Sequence, residues 1–185
     1  WKGYDGSGEP YGLINRNLIR KNGRLGEKAN DSKVIGTNPC GEIGLEDGEP
    51  CNLAEIFLPN IYSKEELFDV SMLLYKTQKA ITILSYPYKK SQDVIEKNRR
   101  LGQGVTGWLQ ATEEQLSWVD EAYKNLKNVD ENWSSTLGIN KSIKLTTVKP
   151  SGTLSLLAGV TPGIHPAYAQ YYIRRVRMGS NDPLV

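Results

Sequence analysis

Few residues in this 185-residue chain can do chemistry. There are two cysteines, Cys40 and Cys51, and one histidine, His165. They cannot assemble a four-ligand Cys/His zinc site, and two thiols are too few for a disulfide scaffold. The densest segment is Asn38-Pro39-Cys40-Gly41-Glu42. Pro39 and Gly41 impose a non-helical bend around the thiol, and Glu42, two residues on, reaches the same side of an extended backbone. A sulfur nucleophile needs a nearby base or cation, yet no histidine is close in sequence, and a carboxylate beside a thiol raises its pKa. The arrangement suits a neutral hydrogen-atom carrier better than a thiolate, and its alternative is a small buried cysteine in a turn. Cys51, in Gly48-Glu49-Pro50-Cys51-Asn52-Leu53, follows eleven residues later. Loop length permits a disulfide between the two, but geometry is not legible from sequence.

Two further segments could hold an anion. Val148 to Ser155 reads as strand, turn and helix start, with Ser151, Thr153 and Ser155 supplying hydroxyls near unpaired helix amides. The alternative is a capped helix in which Ser151 or Thr153 satisfies its own backbone. Gly102-x-Gly104-x-x-Gly107 matches a dinucleotide fingerprint, which requires a preceding apolar strand. Here Glu96-Lys97-Asn98-Arg99-Arg100 precedes it and looks like a helix end, so close backbone packing around Gly102 and Gly104 is the better reading. From Asn132 to Asn181 there is no Asp or Glu, while Lys141, Lys144, Lys149, Arg174, Arg175 and Arg177 lie there. Acidic residues predominate between Glu42 and Asp69. This asymmetry favours an anionic partner, a phosphorylated small molecule or a nucleic-acid backbone, unless it reflects only solvated faces.

The elements that must position these residues follow from periodicity and caps. The first third, to about Asn60, is rich in Gly, Asn, Asp and Pro and reads as strands and long loops. Ser63-Lys64-Glu65-Glu66 fits a capping box, with Leu67, Val70, Leu74 and Ile81 forming one stripe and Pro87 ending the helix. A shorter helix from Ser91 carries Val94 and Ile95. Thr112-Glu113-Glu114-Gln115 opens a third, with Leu116, Val119, Tyr123, Leu126 and Trp133 on one face and Gly138 closing it. Lys144 to Lys149 reads as a strand stopping at Pro150, Leu154 to Ala158 opens a helix, and Tyr171 to Arg177 alternates as a last strand. Helices interleaved with strands argue an α/β fold.

Composition, 38% hydrophobic and 24% charged, is that of a globular protein rather than a disordered one. No run of 18 apolar residues and no signal-like start is present, so the expected location is cytoplasmic. The absence of an initiator Met and the glycine-rich opening suggest an interior piece of something longer.

Taken in order, the segments carry a resemblance. Asn38-Pro39-Cys40-Gly41-Glu42 with Gly48-Glu49-Pro50-Cys51-Asn52-Leu53 resembles the active-site loop of ribonucleotide reductases. Its cysteine spacing is similar to that of the monomeric, adenosylcobalamin-dependent (class II) ribonucleoside-triphosphate reductases. Thr146-Thr147-Val148-Lys149-Pro150-Ser151-Gly152-Thr153 with Leu157-Ala158-Gly159 resembles their substrate-phosphate loop, and Asn98-Arg99-Arg100-Leu101-Gly102 a recurring segment between the two. The similarity extends from about Gly8 to Asp182-Pro183-Leu184.

The resemblance implies a fold, of which residues 1–185 would be a single incomplete domain. That fold is a ten-stranded α/β barrel, two five-stranded parallel halves, with the Cys40 loop as a finger in its centre. It implies that a radical derived from adenosylcobalamin converts Cys40 to a thiyl that removes the ribose 3′ hydrogen. Glu42 would take the 3′-hydroxyl proton and Asn38 would hold the ribose hydroxyls. Cys51 would be one of two reducing thiols, paired with a cysteine far upstream and not with Cys40. Ser151, Gly152, Thr153 and Ser155 would hold the substrate phosphates. The implied partners are a ribonucleoside triphosphate, thioredoxin or a similar dithiol, and deoxynucleotide effectors acting through a region outside this sequence; neither nucleic acid nor membrane is implied. The stretch between Gly107 and Thr112 is shorter than the family leads one to expect, so the middle of the barrel is expected to be trimmed and the isolated chain inactive. Three rivals remain: the large subunit of a metal-radical reductase, a non-catalytic phosphate or nucleic-acid binding module using Lys141 to Arg177, and a nicotinamide dehydrogenase built on Gly102 to Gly107.

Overall fold

The structure is a computed structural model that describes residues 13–167, 169–171, 173, 175 and 177–183. Its frame is two helices packed on a short parallel sheet. The longer helix, Glu113–Leu137, opens with a full capping box: Thr112 accepts from the Gln115 amide at 3.1 Å and the Gln115 side chain accepts from the Thr112 amide at 2.9 Å. Gly138, at φ +64, closes it as anticipated. The helix Lys64–Ile81 is capped by Ser63, but Glu66 reaches past the cap to the Tyr62 amide at 2.7 Å. It stops well before Pro87, because the Thr82 hydroxyl turns back to the Lys79 carbonyl and Arg99 donates to the Thr82 carbonyl. Ile81 consequently leaves the stripe and is 40% exposed.

In chain order the elements are α1 (Arg16–Lys21), β1 (Gly36–Thr37), β2 (Gly44–Leu45), β3 (Leu53–Phe57), α2 (Lys64–Ile81), α3 (Lys89–Asn98), β4 (Gly102–Thr106), α4 (Glu113–Leu137) and α5 (Leu154–Leu157). Turns of 3-10 helix at Arg24–Gly26 and Leu58–Asn60 complete the set. The helix α1 is absent from the sequence expectation for the first third; Asn15 caps it, accepting from the Leu18 amide at 3.2 Å. Strands β3 and β4 run parallel, from Leu53 opposite Gly102 to Phe57 opposite Thr106, joined by a crossover through α2 and α3.

The Lys144 to Lys149 segment follows the other edge of β4 as an incomplete third strand. Gln103 donates to the Leu145 carbonyl at 2.9 Å and Thr147 to the Gln103 carbonyl at 3.1 Å, with a single parallel bridge at Thr146. The expected strand is reduced to this one bridge, and beside it the Thr147 hydroxyl donates to the Glu42 carbonyl of the segment that carries Cys40. The alternation expected from Tyr171 to Arg177 falls partly outside the described residues.

Ile56, Leu58, Ile61, Leu67 and Ala122 form one core cluster between the sheet, α2 and α4; Tyr75, Leu101, Leu126 and Leu145 form a second. Between the helices the buried Lys79 ammonium lies 2.8 Å from Asp130, which also accepts from Tyr75 at 2.8 Å. Burial lowers the Lys79 pKa against the opposing pull of Asp130. The same groups grip Asn140 and Ser142, turning the chain after α4 back toward β4.

The fold is α/β, as the element order implied. The described residues form two two-stranded sheets and no closed ten-stranded barrel. The first two glycines of the fingerprint lie within strand β4 and Gly107 just past its end, and β4 follows a helix rather than a strand, so the dehydrogenase geometry is absent.

Candidate active site

The Cys40 segment is the tip of a β-hairpin. β1 and β2 pair antiparallel, Gly36 with Leu45 and Thr37 with Gly44, and the Gly41 amide donates to the Asn38 carbonyl at 3.0 Å to close the turn. Gly41 adopts φ +81, a conformation open to glycine at no steric cost. Pro39 presets the turn, and Cys40 is carried exposed at its apex.

The hairpin lies against the face of the sheet that presents Leu53, Glu55, Gly102 and Gly104; Ile56, one residue out of phase, is buried on the helix side. Glycine on this face makes room. A Cβ on Gly102 would lie 2.5 Å from Leu53 and 3.1 Å from Ile43 of the hairpin, and one on Gly104 would lie 2.3 Å from the Glu55 carboxyl. Close packing, the reading preferred from sequence, therefore accounts for both glycines.

The two cysteine segments meet here. The Asn38 side-chain amide donates to the Cys51 sulfur at 3.3 Å. Partial burial pushes the Cys51 thiol pKa up, and Glu42 and Cys40 push in the same direction, opposed by the Asn38 hydrogen bond and the Lys149 charge. Both thiols are free. Both Glu42 carboxylate oxygens and the Asn38 carbonyl oxygen are buried without a protein partner. Unsatisfied buried acceptors of this kind call for a donor from outside the chain, water or a bound molecule. An open cleft of about 1050 Å³ borders Gly41, Glu42, Gly104, Thr147 and Val148.

The Ser151 segment joins from the incomplete third strand. Ser151 is buried at φ +51, unusual for a residue other than glycine, and its hydroxyl donates to Glu55. Thr153 precedes the one-turn helix α5 without a side-chain cap, so the self-capping alternative does not describe either residue. Gly152 and Thr153 are exposed, whereas Ser155 is 1% exposed with an unpartnered hydroxyl. Of the cations in the acid-free stretch, Lys141 pairs with Glu131 and Lys144 with Asp31, while Lys149 acts on Glu55 and Cys51.

Sequence reasoning missed Glu55, Glu49 and the role of Arg100. Glu55 is a carboxylate within Leu53-Ala54-Glu55-Ile56-Phe57, and its alternation with Cys51 and Leu53 was the available signal. Arg100, 3% exposed, makes two 2.7 Å contacts to Asp31 and one of 3.0 Å to Glu49. Asn98 donates to Glu49 at 2.9 Å and to Glu46 at 3.2 Å. The Asn98-Arg99-Arg100 segment thus fastens the loop that carries Cys51, with Arg99 supplying the αL turn at the end of α3.

Residues 6–132 match the family model described as ribonucleotide reductase, barrel domain. The chain belongs to the ribonucleotide reductase family. It is 38% identical over 214 aligned residues to the adenosylcobalamin-dependent ribonucleoside-triphosphate reductase of Lactobacillus delbrueckii subsp. bulgaricus, covering 97% of the chain and 29% of that protein. The same values hold for the reductase so named from Lactobacillus leichmannii, and the one from Lactobacillus acidophilus is 39% identical, with 28% of it covered. A crystal structure of a B-12 dependent (class II) ribonucleotide reductase superposes with a TM-score of 0.72 at 36% identity, over 82% of this chain and 26% of that one. The chain therefore spans less than a third of the reductases it matches. The alignment is longer than the 185-residue chain, so these reductases hold residues within the matched region that it lacks.

Proposed function

We propose that this chain is part of the catalytic barrel of an adenosylcobalamin-dependent ribonucleoside-triphosphate reductase, which reduces ribonucleoside triphosphates to 2′-deoxyribonucleoside triphosphates. The observation that carries the reading is the meeting of Asn38, Cys40 and Glu42 of one hairpin tip with Cys51, while Glu55, which Glu42 acts on, holds the Ser151 turn that leads into α5. The donor set fits the cofactor's chemistry: an exposed thiol at a turn apex can be reached from outside, and hydrogen-atom transfer needs no thiolate. Adenosylcobalamin, when bound, supplies a carbon-centred radical by homolysis of its cobalt–carbon bond.

Cys40 would give up its hydrogen atom and then, as a thiyl, take the ribose 3′ hydrogen. Glu42, with two unpartnered oxygens, would accept the 3′-hydroxyl proton, and the free Asn38 carbonyl oxygen would accept from a ribose hydroxyl. Cys51, held as a neutral thiol by its surroundings, would deliver a proton and reducing equivalents as the 2′-hydroxyl leaves as water. Its disulfide partner would be a thiol other than Cys40. Ser151, Gly152, Thr153 and Ser155 would bind the phosphates, with Lys149 offsetting part of their charge. Thioredoxin or a similar dithiol would restore the reduced state, deoxynucleotide effectors would act elsewhere in the enzyme, and the location would be cytoplasmic. Among the described residues no helix is long and apolar enough to cross a membrane.

The test is anaerobic deoxynucleotide formation by the natural reading frame that contains these residues, with adenosylcobalamin, a ribonucleoside triphosphate and a dithiol. Product that disappears in Cys40→Ser supports the thiyl assignment. No product from the folded wild-type frame refutes it.

A further inference from the structure

The reaction proposed above leaves one buried titratable group unused. Glu55 rises from β3 beneath the Ser151 turn, over the space left by Gly104. Its Oε2 accepts from the Ser151 hydroxyl, and its Oε1 is buried with no hydrogen-bond partner. Three neighbouring elements supply its surroundings. β4 offers Gly104, without charge; the segment before the turn offers Lys149; the hairpin offers Glu42.

A hydroxyl has one proton to donate. While Glu55 is ionised it can only accept, so Ser151 spends its proton on Glu55 and turns lone pairs toward anything else nearby. A protonated Glu55 can itself donate to the Ser151 oxygen, which frees the Ser151 proton for a phosphate oxygen. We propose that Glu55 is a positioning residue that sets the direction of the Ser151 hydrogen bond, so that binding of a phosphate at the Ser151 turn takes up a proton from solvent onto Glu55. The inference rests on the reading of Ser151 as a phosphate contact.

Electrostatics agrees with the geometry. Burial is the main cause that pushes the Glu55 pKa up to about 7, with Lys149 opposing and Glu42 reinforcing. An arriving phosphate adds negative charge and pushes in the same direction as Glu42. Near neutral pH the carboxyl therefore stands between its two forms, and the anion selects the protonated one.

The experiment measures binding of inorganic tripolyphosphate to the chain at pH 6 and pH 8, for wild type, Glu55→Gln and Ser151→Ala. Glutamine keeps a side-chain donor for Ser151 at every pH, and the ligand's own titration is common to all three proteins. If only the protonated form binds, wild-type affinity falls about tenfold more than that of Glu55→Gln between these values. Wild type also takes up a proton beyond that exchanged by Glu55→Gln, seen by calorimetry in buffers of different ionisation enthalpy. Parallel pH profiles for wild type and Glu55→Gln, with Ser151→Ala weakening binding, would overturn the Glu55 role while leaving the phosphate contact standing. Binding indifferent to Ser151→Ala, or no binding at either pH, would refute the phosphate contact and the Glu55 role with it. Should Glu55→Gln fail to fold, proton uptake by wild type in excess of that by Ser151→Ala decides: its presence supports the role and its absence removes it.

Discussion

At the scale of single residues, the site is a set of polar atoms whose partners are each other or nothing. Asn38 spends its amide on the Cys51 sulfur and leaves its carbonyl oxygen free; Glu42 leaves both oxygens free. The Cys51 thiol is raised by partial burial first, then by Glu42 and Cys40, and Asn38 is the largest opposing influence. Removing that donor must raise it further, because a thiolate gains more from a hydrogen-bond donor than a thiol does. In a Cys40→Ser background, Asn38→Ala is therefore expected to slow alkylation of Cys51 at pH 8 by about threefold or more, with the rate recovering as pH rises through the new thiol pKa. Mass spectrometry of the modified thiol measures it, and faster alkylation would show that the amide only shields the sulfur.

At the scale of elements, the site is held by contacts remote from any reacting atom. The loop from Glu46 to Cys51 has little regular structure, and Asn98 and Arg100 fasten it at the end of α3. Arg100 is buried with two carboxylates, Asp31 and Glu49, so replacing it leaves Asp31 to Lys144 and buried Glu49 to the Asn98 and Glu46 amides without a cation. Arg100→Met should cost about 3–5 kcal/mol, far more than the loss of an exposed pair such as Lys89–Asp93. Urea unfolding of Arg100→Met and Lys89→Ala side by side measures the contrast; equal losses would mean that Arg100 does not anchor the loop. The helices were legible because their caps and apolar spacing are local: Ser63, Thr112 and Gly138 all act within a turn of their own position. The third strand was legible only as a propensity, since how far Lys144 to Lys149 pairs with β4 depends on contacts between segments distant in sequence.

At the scale of the whole molecule, the described residues show one parallel pair of strands, an added incomplete strand and a hairpin on one face of them. It matches under a third of the length of the reductases it resembles. If Cys51 pairs with a thiol other than Cys40, as proposed, that partner is not among the two cysteines of this chain, and the chain alone would not complete a round of reduction. Incubated anaerobically with a ribonucleoside triphosphate, adenosylcobalamin and a dithiol, the isolated chain is expected to form no deoxynucleotide above background. Sustained turnover would refute the assignment of Cys51 to a cysteine pair that excludes Cys40.

The sequence by itself determined the residue types and their order. Asn38, Cys40, Glu42, Cys51 and the Ser151 turn could be read as candidate chemistry, and the family could be read from their succession, because motif identity is local. It also determined that α2 and α4 are helices, through caps and spacing that need no partner. Tertiary structure decided that Gly102 to Thr106 is a strand whose glycines make room for the hairpin and for Glu55 rather than a nucleotide loop. It decided that Arg100 is an anchor, and that Glu55 lies under Ser151. Each of these depends on a contact between distant segments. A glycine's use depends on what approaches it, and a carboxylate's protonation depends on what surrounds it, so neither is written in the neighbouring residues.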